Sequence, residues 1–364
     1  MSRDFSIDQK APWWLPNGNT QTIWPALFGQ RFRLGTPQYR RDRWTSPDGD
    51  FIDIDHLITE KNNIDAPRLV LFHGLEGSSG SHYAQAFADE AARLGWAFCV
   101  PHFRGCSGDM NTAPRAYHSG DHEEIHWLLT RLREQDPARP ILAVGVSLGG
   151  NALLRWAQEW GAMASQWVNA VAAVSAPVDL MAAGNAIDSG FNRHVYARMF
   201  LRTMVRKAEA KWRQFPGLFD LDGVRKARTL REFDDLFTAP LHGFKGVEDY
   251  WTRAAAKPRL ADIALPTLVL NARNDPFVPG RSLPEQTEVG RWVTLVQPEH
   301  GGHVGFPQAV AGAPWQVHVL GMPKWVVNWL ASSAGLRQGL GGSVSEAGAK
   351  LLQPAGLCQQ NQGS

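Results

Sequence analysis

The segment Gly145-Val146-Ser147-Leu148-Gly149 sets a serine between glycines two positions away on either side, directly after the apolar run Ile141-Leu142-Ala143-Val144. A nucleophilic serine needs this arrangement: a buried strand, a sharp and strained turn that lifts the hydroxyl into a cleft, then a helix. Bulky side chains at 145 or 149 would collide within that turn, and glycine avoids the collision. Helix formers continue through residues 151–157, which completes the strand–turn–helix context. A serine hydroxyl is a poor nucleophile until a base takes its proton. A histidine, itself oriented by a carboxylate, must therefore arrive from elsewhere in the chain.

The acid and the base have candidates in that order. The apolar strand 266–271 runs into Ala272-Arg273-Asn274-Asp275-Pro276, so Asp275 sits in a loop just past a strand end. Pro276 disfavours helix at Asp275 and keeps the segment a loop. Loops at the C-terminal ends of parallel strands are where such a sheet builds its ligand site. The next strand, 292–296, ends in Pro298-Glu299-His300-Gly301-Gly302-His303. Two histidines compete; the paired glycines let the chain turn sharply before His303, which favours it over His300 as the side chain that reaches Ser147. Negative charge on a reacting carbonyl oxygen also needs donors. The strand 68–72 ends in His73-Gly74-Leu75-Glu76-Gly77, a turn suited to presenting a backbone N–H, so the expected pair of donors is the N–H groups of Leu75 and Leu148.

The elements around these residues alternate. A hairpin is expected over 43–46 and 51–57 about Asp48-Gly49. Strands at 68–72, 97–101, 141–146 and 170–175 then alternate with helices near 82–94 and 121–134 and the helix after Ser147. This order predicts an α/β protein with a mostly parallel, twisted sheet and helices on both faces. Residues 178–262 interrupt it with charged, aromatic and helical sequence (192–210 and 247–256), expected to form a cap over the site. Residues 1–38 read as irregular. The Gly-, Ser-, Ala- and Gln-rich stretch 337–364 reads as a loosely ordered tail, leaving one domain over 1–336.

Taken together, His73-Gly74-Leu75-Glu76-Gly77-Ser78-Ser79, Phe103-Arg104-Gly105-Cys106-Ser107-Gly108, the Ser147 turn and His300-Gly301-Gly302-His303-Val304-Gly305-Phe306 resemble the YheT-like branch of the α/β-hydrolases. So do the N-terminal Trp13-Trp14-Leu15-Pro16-Asn17-Gly18-Asn19-Thr20-Gln21-Thr22 and Phe233-Asp234-Asp235-Leu236-Phe237. The branch includes plant embryogenesis-associated hydrolases and animal membrane-bound esterases and phospholipases. The resemblance spans residues 12–332. It implies the α/β-hydrolase fold with a helical cap, and carboxylester hydrolysis with Ser147, Asp275 and His303 as the catalytic triad.

Composition narrows the rest. Lys and Arg number 37 against 35 Asp and Glu, a net charge of +2, which makes no electrostatic case for a nucleic-acid partner. Three scattered cysteines (Cys99, Cys106, Cys358) form neither a disulfide framework nor a zinc pattern, and suit a reducing compartment. No signal sequence and no run of about 20 apolar residues is visible, so a cytoplasmic protein is expected. Fifteen tryptophans, some near the N-terminus and some within 156–167, could line an acyl pocket or pack the core, with packing the better reading. His122-Glu123-Glu124-Ile125-His126 matches the helical H-E-x-x-H of zinc proteases. However, Ile125, Leu128, Leu129 and Leu132 form an apolar stripe that makes this helix a cover for the sheet. The expectation is a serine hydrolase that needs no cofactor and no metal and acts on a small ester or lipid of short-to-medium acyl chain. An acyltransferase on the same scaffold and a non-catalytic receptor or scaffold are the alternatives. The sequence carries no signature of oligomeric state.

Overall fold

A computed structural model describes residues 7–59 and 65–336. The expected C-terminal tail, Cys358 and the first six residues lie outside them. Eight strands form one sheet: β1 (Tyr39–Thr45), β2 (Phe51–Leu57), β3 (Arg68–Phe72), β4 (Ala97–Pro101), β5 (Ile141–Val146), β6 (Ala170–Val174), β7 (Thr267–Leu270) and β8 (Val293–Val296). Their spatial order is β1-β2-β4-β3-β5-β6-β7-β8. The β1–β2 hairpin and the β2–β4 pairing are antiparallel; every pairing from β4 to β8 is parallel.

The central strands β5 and β6 carry no polar side chain and are buried at every position because both faces of the sheet are covered. Val70 and Phe72 of β3 point into a core shared with α3 (His122–Gln135) and α4 (Leu148–Trp160), where Ile125, Leu128, Leu153 and Trp156 are buried. Leu69 and Leu71 point to the other side, against Phe87 of α2 (His82–Leu94) and Val326 and Leu330 of α12 (Gly321–Ser333). Each such side chain stabilises the fold by about 1.5–3 kcal/mol relative to exposure.

Between β6 and β7 the chain leaves the sheet as a helical insert: α5 (Leu180–Ile187), α6 (Gly190–Asn192), α7 (Arg198–Gln214), α8 (Leu221–Lys226), α9 (Leu230–Phe233), α10 (Ala239–Leu241) and α11 (Val247–Ala254). A five-residue π turn, Arg193–Ala197, joins α6 to α7 so that the two run on as one rod. The insert has an apolar cluster of its own, with Leu201, Val224, Phe233 and Phe237 buried.

The N-terminal region departs from the irregular coil expected over 1–38. Gly18–Phe28 is a helix, α1. The Asn17 side chain accepts the Thr20 N–H at 3.0 Å and Thr20 Oγ1 accepts the Asn17 N–H at 3.3 Å, a reciprocal cap that fixes the first turn. Pro25 inside the helix hid it from the sequence pattern. A further hairpin, β9 (Gln308–Val310) and β10 (Ala313–His318), is held to the end of α1 by Gln30 N–H donating to the Val317 carbonyl at 2.8 Å.

Candidate active site

Ser147 stands between β5 and α4 with φ 53° and ψ −121°, outside the region L-residues favour. The flanking glycines allow it by close approach. A Cβ at Gly145 would strike the Gly149 carbonyl and one at Gly149 would strike the Phe72 and His73 carbonyls. The turn is pinned by Ser147 N–H donating to the Val174 carbonyl at 2.9 Å.

His303 Nε2 lies 3.0 Å from Ser147 Oγ, and His303 Nδ1 lies 2.8 Å from Asp275 Oδ2. A carboxylate only accepts, so Nδ1 carries the proton, Nε2 is a free lone pair, and the Ser147 hydroxyl donates to it. Asp275 Oδ1 is occupied by the Phe277 N–H at 2.7 Å and the Val278 N–H at 3.2 Å, which leaves Oδ2 for the imidazole. The Phe277 ring lies against His303 with centroids 4.3 Å apart. The three residues singled out from the sequence thus meet in one hydrogen-bonded chain. His300 does not join it: it is exposed, with Nδ1 3.4 Å from the Asn274 side-chain amide. Gly302 takes φ +60°, the turn expected before His303.

Leu75 and Leu148 both border the cavity onto which Ser147 opens. Leu148 begins α4, where the helix leaves its first N–H groups unpaired and the dipole is positive. Gly74 packs against Ser147 so closely that a Cβ there would be 3.1 Å from the serine Cβ. Beneath this turn His73 is fully buried. Its Nε2 accepts the Phe103 N–H at 3.0 Å, so its Nδ1–H faces the Gly74 carbonyl at 2.8 Å. Burial, with the neighbouring His102 adding to it, pulls the His73 imidazole down to about 3.

Several residues that hold the site had no role assigned from sequence, although Gln21 and Thr22 lie in the N-terminal stretch that carries the family resemblance. Thr22 Oγ1 accepts the His303 N–H at 2.8 Å. Gln21 Oε1 accepts both the Gly301 N–H and an Asn274 amide N–H at 2.9 Å, and Asn274 Oδ1 accepts the Gly302 N–H at 3.0 Å. Helix α1 therefore clamps the loops that carry Asp275 and His303. Ser175, with φ 51°, accepts the Val304 N–H at 3.1 Å. All five non-glycine residues with positive φ among the described residues (Glu76, Ser147, Ser175, Val304 and Phe306) lie in the loops around the site.

Two apolar cavities meet at Ser147. The first, between core and insert, is walled by Leu75, Leu148, Ile187, Phe200, Phe233, Phe237 and Trp251. Its polar groups are tied up: Glu76 accepts from Lys207 at 2.7 Å and Tyr117 at 2.9 Å, and the Lys211 ammonium donates to the Asn111 and Ala113 carbonyls and to Gln214. Burial lowers Lys211 to about 8 and raises Asp234, which accepts from Thr238 and Trp251, to about 6. The second cavity opens between α1 and α7, past Ile23, Leu27, Val195, Met199, His303 and Ser147. Of the tryptophans, Trp251 faces the first cavity. The N-terminal ones lie elsewhere, and Trp156 is core. His126 of the H-E-x-x-H segment is packed between Trp160 and Trp167, with Nδ1 accepting the Trp160 indole N–H.

Fold and site together define the class, and the chain belongs to the α/β-hydrolase family. The model for the alpha/beta hydrolase fold matches residues 67–310. The chain is 38% identical to the Escherichia coli (strain K12) protein named putative esterase YheT, covering 87% of this chain and 92% of that one. It is 30% identical to human phospholipase ABHD3, covering 75% and 68%. The yeast (Saccharomyces cerevisiae) monoacylglycerol lipase is 29% identical over 77% of this chain and 62% of its own length. Among solved structures, Est1E from Butyrivibrio proteoclasticus superposes with a TM-score of 0.50 at 15% identity, covering 82% of this chain and 99% of that one, a likeness of fold. The family is one of hydrolases of esterase and lipase type. No helix among the described residues is long and apolar enough to cross a membrane.

Proposed function

We propose that the protein is a serine carboxylesterase that cleaves esters of short-to-medium acyl chains or lipids through an acyl-enzyme. The observation that carries this reading is the hydrogen-bonded chain Asp275–His303–Ser147 opening onto an apolar cavity. Ser147 Oγ attacks the ester carbonyl as His303 Nε2 takes its proton. Asp275 holds the Nδ1–H tautomer and stabilises the imidazolium. The N–H groups of Leu75 and Leu148 take the charge on the oxyanion. His303 then protonates the leaving alcohol, and water, activated by the same imidazole, releases the acid. No step calls on a metal or an organic cofactor.

In this reading residues up to 336 form one domain whose insert, 178–262, is the cap. The acyl chain occupies the cavity beneath it and the leaving group faces the more open cavity beside α1. Support comes from the apolar walls of the first cavity, where each charged group already has an internal partner. Incubation with a fluorophosphonate followed by mass spectrometry tests the assignment. The expected result is a single adduct on Ser147, absent in Ser147→Ala, and hydrolysis of p-nitrophenyl esters lost in the same variant. A folded protein that takes no adduct, or a Ser147→Ala variant that keeps its esterase rate, overturns it.

A further inference from the structure

The open cavity beside Ser147 has an exposed apolar rim. On α1, Trp24, Leu27 and Phe28 lie on one helical face, with Leu27 and Phe28 61% and 64% exposed. Across the mouth Met199 of α7 is 54% exposed, and Leu27 and Met199 both line the cavity. The rim continues as an aromatic chain: Trp24 packs on Phe28 (ring centroids 4.7 Å apart) and on Trp14 (5.4 Å), Trp14 on Trp315 of β10 (6.3 Å), and Trp315 on Trp13 (5.1 Å). Trp13 is 76% exposed and Trp315 63%. Contiguous exposed apolar surface of this kind marks an interaction site, and tryptophan suits a boundary between water and hydrocarbon.

The segments that build the same face are basic, and the exposed carboxylates at their borders are paired, Asp8 with Lys10 and Glu299 with Arg273, each at 3.4 Å. No Asp or Glu occurs in residues 9–41, 189–208 or 300–318, the three segments that build it, although the whole chain is nearly neutral. Arg193, Arg198 and Arg202 are exposed and none pairs with a carboxylate among the described residues. Basic side chains beside exposed tryptophan, leucine and phenylalanine match an anionic lipid surface. A protein seated here would plug the mouth of the cavity, whereas a lipid layer would fill it with ester-bearing chains.

We propose that this face, made by α1, the start of α7 and the β9–β10 hairpin, docks onto an anionic lipid surface. Ester-bearing lipids then pass through the open cavity to Ser147 without crossing water; this last step rests on the hydrolase reading above. The test sediments full-length Ser147→Ala protein with vesicles of phosphatidylcholine alone or with added phosphatidylglycerol. Binding is expected to the anionic vesicles and to be weak to the neutral ones. Adding Trp24→Ser/Phe28→Ser or Arg198→Glu/Arg202→Glu should weaken it by about tenfold or more. With Ser147 intact, both double variants should hydrolyse a water-soluble short-chain ester at the unmodified rate. Absence of vesicle binding, or binding unchanged in both double variants, overturns the docking surface. So does self-association in lipid-free buffer that Trp24→Ser/Phe28→Ser abolishes, because the occupant would then be a second copy. Vesicle binding that follows the expected pattern in a protein that does not hydrolyse the soluble ester leaves the docking surface standing and removes the hydrolase reading.

Discussion

Ser147 holds a backbone conformation that costs of order 1–3 kcal/mol in a non-glycine residue, and it does so where its hydroxyl meets His303. Replacing it with glycine should abolish esterase activity and raise stability by up to about 1 kcal/mol, because the strained φ no longer opposes a side chain. Urea unfolding measures this, and a destabilised Ser147→Gly would mean the turn carries no strain. Asp275 makes a sharper prediction. Its Oδ1 accepts two backbone N–H groups, so in Asp275→Asn the amide oxygen must stay there and the NH2 must face His303 Nδ1. The imidazole proton then moves to Nε2, which can no longer accept from Ser147. A fall in kcat of about 10^4-fold at neutral pH, with KM little changed, is expected from steady-state kinetics. A loss under tenfold would show that Asp275 does not set the tautomer.

Among the elements, α1 has the least obvious role. It touches the site through backbone-to-side-chain hydrogen bonds, Thr22 to His303 and Gln21 to Gly301. Thr22→Val keeps the shape but removes the acceptor for the His303 N–H. Loosening the imidazole should lower kcat by about ten- to a hundredfold while KM stays near its original value. Rescue by Thr22→Ser, which restores the hydroxyl, would separate positioning from packing. Gln21→Ala leaves the Gly301 N–H unpaired in a buried position and should cost about 1–3 kcal/mol in chemical denaturation. An unchanged midpoint would mean that the loop finds another acceptor.

Across the whole molecule, acid sensitivity is built in beneath the sheet ends. His73 is neutral and fully buried when folded, pulled to about 3 from its ordinary 6.5 by burial, and its Nε2 is already an acceptor. The unfolded chain takes up the proton below 6.5 and the folded chain does not. Stability therefore falls as pH drops through that window, by about 1.4 kcal/mol per pH unit at the steepest. Asp50 and Asp55 add to this at lower pH. Burial pushes both carboxyls up, but hydrogen bonds from Asn111 and the Thr112 N–H on Asp50, and from Arg41, His102 and Ser79 on Asp55, hold them below the ordinary carboxylate range. Their contribution is present above the unfolded carboxylate value and lost as pH falls toward the folded one. Urea midpoints at pH 7, 5 and 4 should decline in that order, and a flat profile between 7 and 5 would remove His73 from the account.

Local pattern was enough to read the sheet strands, the α2, α3 and α4 positions, the Ser147 turn, and the order of acid and histidine along the chain. Each of these leaves a signature within a few residues: a continuous apolar run, a 3.6-residue stripe, a glycine beside a polar side chain at a strand end. Helix α1 escaped because Pro25 interrupts the pattern that Asn17 and Thr20 begin. The insert showed its helical character but not its cavity, since which faces of α5, α7 and α11 turn toward Ser147 depends on how they pack together. The paired glycines before His303 already favoured it over His300, but the clamp from Thr22 and Gln21 and the meeting of two cavities at one hydroxyl were decided by tertiary structure. They join residues more than a hundred positions apart, as Ser147 and His303 are. Such contacts depend on how the sheet orders its strands, which no window of sequence contains.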